Sequence, residues 1–158
     1  MTDLDFMQSA LDEARSAGEA GEVPIGAVVV HENRIIARGQ NRVLRDLDPT
    51  AHAEIVALRG AAQAVGNYRL LDCTLYATLE PCAMCAGAMI HARLERLCFA
   101  AVDPKAGAAG SVLGVLNHPQ LNHKMEILKG ILADESAELL RNFFRERRSS
   151  QSFDPGLA

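Results

Sequence analysis

No stretch of this sequence approaches the roughly 18–20 consecutive apolar residues of a membrane-spanning helix. Residues 1–20 carry Asp3, Asp5, Asp12, Glu13 and Glu19, and no basic leader precedes a long apolar core. A secretory signal is therefore not expected, and the protein is read as cytoplasmic. There is no internal repeat, linker or low-complexity block to divide the chain. At 158 residues, with 49% hydrophobic and 23% charged, the composition fits one soluble domain able to bury about two thirds of its unfolded surface. A surplus of positive charge is also missing: the formal net charge is -4. That argues against a general nucleic-acid coat protein but leaves room for a local basic groove.

What is present is an alternation of helical and strand patterns. Leu4, Met7, Leu11 and Ala14 mark one apolar helical face over 4–18, with Gly18 as a stop. Two Val/Ile-rich runs, 26–31 and 34–39, flank Glu32-Asn33 and read as a hairpin. A helix is expected over 51–65, a strand over 74–78, a helix over 83–92 opened by Glu80-Pro81, a strand over 96–101 and a fifth strand over 124–129. The loops at 103–114 and 117–123 are expected to line a site rather than fill a core. A closing helix over 133–148 carries Leu139, Leu140, Phe143 and Phe144. The pattern predicts a three-layer α/β/α domain over 1–149 around a mixed five-stranded sheet, followed by a disordered tail at 150–158.

The four cysteines are not expected to form disulfides in a reducing compartment. Cys73 and Cys98 lie in or beside apolar strand patterns and read as small buried hydrophobes. Cys82 and Cys85 are one helical turn apart, so both sulfurs can meet one tetrahedral ion. Alone, such a pair is also a redox motif or half of a zinc ribbon, but no second close pair exists to complete a ribbon. The combination is more specific. His52-Ala53-Glu54 upstream and Pro81-Cys82-Ala83-Met84-Cys85 downstream match the His-x-Glu and Pro-Cys-x-x-Cys halves of the zinc-dependent nucleobase deaminases, and the chain resembles that class.

The residue types suit the chemistry. Three protein ligands, His52, Cys82 and Cys85, leave one tetrahedral position open, the mark of a catalytic rather than a structural zinc. Two thiolates and an imidazole bring the site to zero formal charge, so the ion acidifies water less than one held by three histidines. A nearby base is then needed, and Glu54 is its candidate. The bland reading of Glu54 is a first-turn acid favouring the helix dipole.

Further segments, among them Glu22-Val23-Pro24-Ile25-Gly26, Asp48-Pro49-Thr50-Ala51-His52, Thr78-Leu79-Glu80-Pro81-Cys82, Gly107-Ala108-Ala109-Gly110-Ser111 and Leu121-Asn122-His123, resemble the bacterial tRNA-specific adenosine deaminases from about 7 to 148. That resemblance implies a cytidine-deaminase-like fold, one Zn2+ per subunit and a homodimer in which each tRNA anticodon loop meets both subunits. It implies hydrolysis of adenosine to inosine at the wobble position. It also implies that Asn41 contacts the flipped purine, and that Asp103, Lys105, Asn122, Phe144 and Arg148 line the anticodon groove. From the residues alone, Asn41 can pair with an adenine edge or serve a turn. Asp103 can bind a ribose hydroxyl or shape a turn before Pro104. Phe144 can stack on a base or join the core, and Arg141, Arg145, Arg147 and Arg148 can face RNA or solvent. Gln40 and Val43 depart from the family's common side chains beside Asn41. The competing readings are a deaminase of a free base such as guanine or cytosine, and a non-catalytic zinc module that binds RNA.

Overall fold

The computed structural model describes residues 1–151, with the side chains of 150 and 151 left aside. Most of the tail expected at 150–158 thus lies outside the described residues. In chain order the elements are α1 (Asp3–Glu19), β1 (Gly26–His31), β2 (Arg34–Gln40), α2 (Ala53–Val65), β3 (Cys73–Leu79), α3 (Ala83–His91), β4 (Arg96–Ala101), β5 (Glu126–Lys129) and α4 (Ala133–Gln151). The strands form one five-stranded sheet ordered β2-β1-β3-β4-β5. β1 is antiparallel to both β2 and β3, while β3, β4 and β5 run parallel. The fold is therefore the three-layer α/β/α domain with a mixed sheet. Among the described residues no helix is long and apolar enough to cross a membrane.

Period-two burial sorts the strand residues into two cores. Ala27, Val29, Leu75, Ala77, Leu97 and Phe99 face α2 and α3, whereas Val28, Val30, Tyr76, Cys98 and Ala100 face Phe6, Met7 and Ala10 of α1. Cys73 and Cys98 are both fully buried, on opposite faces of the sheet. β1 is covered on both sides, which is why it reads as a continuous apolar run. Glu32 and Asn33, both at positive φ, close the hairpin as expected of a two-residue turn. A capping box between Thr2 and Asp5 starts α1. Asp3 then accepts from the Tyr76 hydroxyl and the Arg96 guanidinium, tying α1 to β3 and β4.

Two contacts between helix and strand allow no side chain. A Cβ on Gly26 would strike the α1 backbone at Ala10 and Ala14, and one on Gly39 would strike the α2 backbone at Ala53 and Ala57. Each helix is thereby seated directly on a strand, and α2 is the helix that carries Glu54.

The structure shifts some sequence boundaries. α2 begins at Ala53 rather than at 51, because the Asp48 carboxylate takes the Thr50 N–H and hydroxyl at 2.8 and 2.7 Å and the Arg42 N–H takes the Ala51 carbonyl at 2.9 Å. Those bonds hold 50–52 extended up to His52, the N-cap. α1 runs past Gly18 to Glu19, and β5 starts at Glu126 rather than at 124. The loop at 103–114 also contributes to the core: Ala108 is fully buried and Leu116 just beyond it is 1% exposed. Burial of a loop requires partners for its amides, and Glu80 supplies several of them.

Candidate active site

The pairing registers place Gln40 of β2 beside Gly26 of β1, and Ala77 of β3 beside Ala27. The C-terminal ends of β2, β3 and β4 therefore share one edge of the sheet. Outside that edge is the crevice where ligands bind in open α/β folds. Asn41 follows β2, Cys82 follows β3, Asp103 follows β4, and His52 and Glu54 open α2 at the same end.

His52 and Cys82 are the N-caps of α2 and α3, positions where Ser, Thr, Asp or Asn normally accept a helix N–H. Neither side chain makes such a bond. Both are turned instead to each other: His52 Nδ1 lies 3.6 Å from Cys82 Sγ and 3.5 Å from Cys85 Sγ. The ligating atoms of all three residues fall within 4.8 Å of one another, and this is the one such group of His, Cys, Asp or Glu side chains among the described residues. The arrangement can hold a metal ion. Two helix N-termini point their positive ends at it, which favours thiolates.

The electrostatics agree. Hydrogen bonds from Cys85 and His52 bring the Cys82 thiol down to about 3. His52 is raised by its bond to Cys82. Cys85 is pushed up by sharing a proton with the Cys82 sulfur and by burial. A bound cation requires both sulfurs deprotonated and the imidazole neutral. Glu54 is 4% exposed. Burial pushes its carboxyl up to about 7.

Asn41 is 6% exposed and its Oδ1 has no donor among the described residues. The neighbouring Arg42–Ala51 backbone bond draws Asn41 toward the His52 turn. Glu22, fully buried, holds this loop from beneath. It accepts from the N–H groups of Leu44 and Arg45 at 3.1 and 2.9 Å and from Arg45 Nε at 3.1 Å. Arg45 in turn donates to the Asn41 carbonyl at 2.7 Å. On the opposite rim Asp103 Oδ1 caps its own turn, accepting from Lys105 and Ala106 N–H at 3.0 and 3.1 Å. Asp103, Lys105 and Phe144 line one cavity of about 500 Å³, with Arg141 and Leu140. Phe144, 44% exposed, also lines a neighbouring cavity of about 330 Å³ with Arg148, Val43 and Leu44. Asn122 lies apart from these, in a cavity with Arg69, His91 and Arg93. Sequence reasoning read Glu80 only as a helix-opening residue and gave no site role to Glu22 or Arg45, because nothing in a linear pattern marks an acid whose partners are the amides of a distant loop.

Comparison with known proteins agrees with this geometry. The model of the MafB19-like deaminases matches residues 1–148. The tRNA-specific adenosine deaminase of Haemophilus influenzae is 47% identical over 156 residues, covering 98% of this chain and 90% of that protein. That of Agrobacterium fabrum is 52% identical over 143 residues, covering 90% and 94%. A solved structure from work on A-to-I editing by tRNA deaminases at the wobble position of transfer RNA superposes with a TM-score of 0.83 at 50% identity, over 86% of this chain and 99% of that one. The guanine deaminase of Nitrosomonas europaea gives a TM-score of 0.78 at 28% identity, over 90% and 84%. The chain belongs to the family of the tRNA-specific adenosine deaminases, within the MafB19-like deaminases.

Proposed function

We propose that this chain is a zinc-dependent hydrolase that converts adenosine to inosine at the wobble position of a tRNA anticodon, working in the cytoplasm as a homodimer. The observation that carries the reading is the His52, Cys82 and Cys85 group closing on one point with buried Glu54 against it. One imidazole and two sulfurs at this spacing fit zinc by donor softness and leave a fourth position open. When bound, zinc supplies the Lewis acidity that makes water a nucleophile near neutral pH.

The chain's own groups do the rest. Glu54 moves the protons of a hydrolysis in which water and adenosine give inosine and ammonia. It takes one proton from the attacking water and gives it to the ring nitrogen beside the attacked carbon, then takes the second from the newly formed hydroxyl and gives it to the departing amine, leaving the inosine carbonyl. Its burial excludes bulk water from that exchange. Asn41, an amide with a free buried acceptor, suits the edge of an extruded purine. Asp103 spends one oxygen on its own turn and keeps the other for a ribose hydroxyl, an RNA-specific contact. Phe144 offers a half-exposed ring suited to base stacking, and Lys105 and Arg148, each lining a cavity with it, offer positive charge suited to phosphates.

The homodimer rests on a groove of about 370 Å³ between α2 and α3, lined by Ile55, Leu58, Ala62, Leu70, Ala88 and Ala92. Tyr68 and His91 line both this groove and the cavity of Asn122. A second subunit seated there would bring Asn122 to the partner's anticodon loop, which accounts for its distance from the other RNA-facing residues.

The test incubates zinc-loaded protein with an anticodon stem-loop bearing a wobble adenosine and, in parallel, with free adenosine, guanine and cytidine. Glu54→Ala and chelated protein serve as blanks. Inosine is expected in the stem-loop alone, with Glu54→Ala keeping its zinc but losing at least ~100-fold in turnover. Release of ammonia from free guanine with an inert stem-loop would assign a free-base deaminase instead. Stem-loop binding with no turnover in either protein would assign a binding module.

A further inference from the structure

Glu80 links β3 to the Pro81-Cys82 turn, and its side chain is 2% exposed. Its carboxylate is committed to the loop after β4. Oε1 accepts from the Asp103 N–H at 3.0 Å and the Ser111 hydroxyl at 2.5 Å. Oε2 accepts from the N–H groups of Ala109 and Ser111 at 3.0 and 3.1 Å. Gly107 passes directly over this carboxylate, where a Cβ would collide with it. Two backbone bonds run alongside: the Glu80 N–H donates to the Ala101 carbonyl at 2.8 Å, and the Ala108 N–H to the Pro81 carbonyl at 2.8 Å. Two ends of the loop, Asp103 and Ser111, thus converge on one side chain set two positions before Cys82.

We propose that Glu80 is a positioning residue for the RNA substrate: its four bonds lock the rim loop that presents Asp103 and Lys105 to the turn that presents Cys82. The rim and the metal-holding turn then move as one body, and the groove is formed before RNA arrives. Preorganisation of this kind acts on binding, because a slack loop must be ordered by the ligand at the ligand's expense. A strut needed only for folding would affect stability and leave the balance between binding and turnover unchanged. The proposal rests on the reading of 103–105 as an RNA-facing rim.

The experiment compares zinc-loaded wild type, Glu80→Gln, Ser111→Ala and Ser111→Thr by zinc content, by kcat and KM on the stem-loop, and by amide hydrogen exchange at Asp103, Ala109 and Ser111. Glutamine keeps the volume but turns an NH2 toward N–H donors. The expected result is zinc unchanged, exchange at the three amides at least tenfold faster, KM raised about tenfold or more and kcat within threefold. Ser111→Ala should move exchange and KM in the same direction by less, and Ser111→Thr should return both to within twofold of wild type. Unchanged exchange, an unchanged KM, a loss confined to kcat, or loss of zinc would overturn the proposal. If Glu80→Gln does not fold, Ser111→Ala decides on the same readouts. An inert wild type would refute the RNA reading, whereas the exchange arm reports on the Glu80 clamp whatever the substrate is.

Discussion

Replacing Glu22 by glutamine removes a charge and almost no volume from a carboxylate with no solvent exposure. In the native protein its two oxygens accept from the Leu44 N–H, the Arg45 N–H and the Arg45 guanidinium. The amide keeps one oxygen and turns an NH2 toward the remaining donors. Leaving a buried donor unsatisfied costs about 1–3 kcal/mol, and the loss of charge assistance adds to that. The Arg45 side chain is 28% exposed and still bonds Gln40 and Asn41, so water recovers part of its loss. The net expectation is a destabilisation of about 2–4 kcal/mol. At roughly 2–4 °C per kcal/mol for a domain of this size, that lowers the melting temperature by about 4–16 °C. The pH dependence gives an independent check. Burial pushes the Glu22 carboxyl up, but the N–H groups of Arg45 and Leu44 and the Arg45 guanidinium outweigh it, so its folded pKa lies below the ordinary value. A depressed carboxyl contributes stability that is fully present above the unfolded value of about 4.3 and is lost as pH falls through the folded one. In urea titrations the gap between wild type and variant should therefore hold steady from pH 7 to about pH 5 and close below about pH 4. A gap under about 0.5 kcal/mol at pH 7, within the range of ordinary surface substitutions, or a gap that widens on acidification, would refute the reasoning.

Two further outcomes follow from the packing around the site. Gly39→Ala forces a methyl into the α2 backbone at Ala53 and Ala57. Overpacking typically costs about 1–3 kcal/mol, and because α2 also positions His52 and Glu54, calorimetry should show a lower melting temperature and zinc titration a weaker affinity. A normal affinity would mean that the helix yields without moving its N-terminus. Phe144→Ala should change the urea midpoint little, since the ring is 44% exposed, while raising KM for the stem-loop several-fold. A stability loss of about 3 kcal/mol or more with an unchanged KM would make Phe144 a core residue.

The fold was legible where burial follows a period. The alternation that separates Val28, Tyr76 and Cys98 from Val29, Leu75 and Leu97 is written in the apolar pattern, and the strand at 96–101 matches β4 residue for residue. The convergence of His52, Cys82 and Cys85 into a group able to hold a metal ion was legible for a different reason: few residue types do that chemistry, and the order His-x-Glu then Cys-x-x-Cys fixes their spacing. Loop order was hidden. The 103–114 segment is rich in Gly, Ala and Pro and reads as an open rim, yet Ala108 is fully buried. Ala108 packs into the core while the Glu80 carboxylate takes the amides of Asp103, Ala109 and Ser111 around it, and a linear sequence does not show which backbone amides an acid will meet.

That hidden layer and the visible one meet at the helix starts. His52 and Cys82 occupy N-cap positions without capping, so each helix forgoes a stabilising bond of about 1 kcal/mol and leaves its side chain available to a metal. Breaking a local rule at a functional site calls for support elsewhere, and the buried carboxylates of Glu22 and Glu80 supply it on the two sides of the crevice. Glu22 fixes the loop that leads from Asn41 toward His52. Glu80 fixes the loop that leads from Asp103 to Ser111 beside Cys82. Neither needs to touch substrate to matter. Since they act on separate loops with no shared partner, their glutamine variants should be close to additive in stability. A coupling well above 0.5 kcal/mol in the double variant would show that the two rims form one cooperative frame around the metal-holding group.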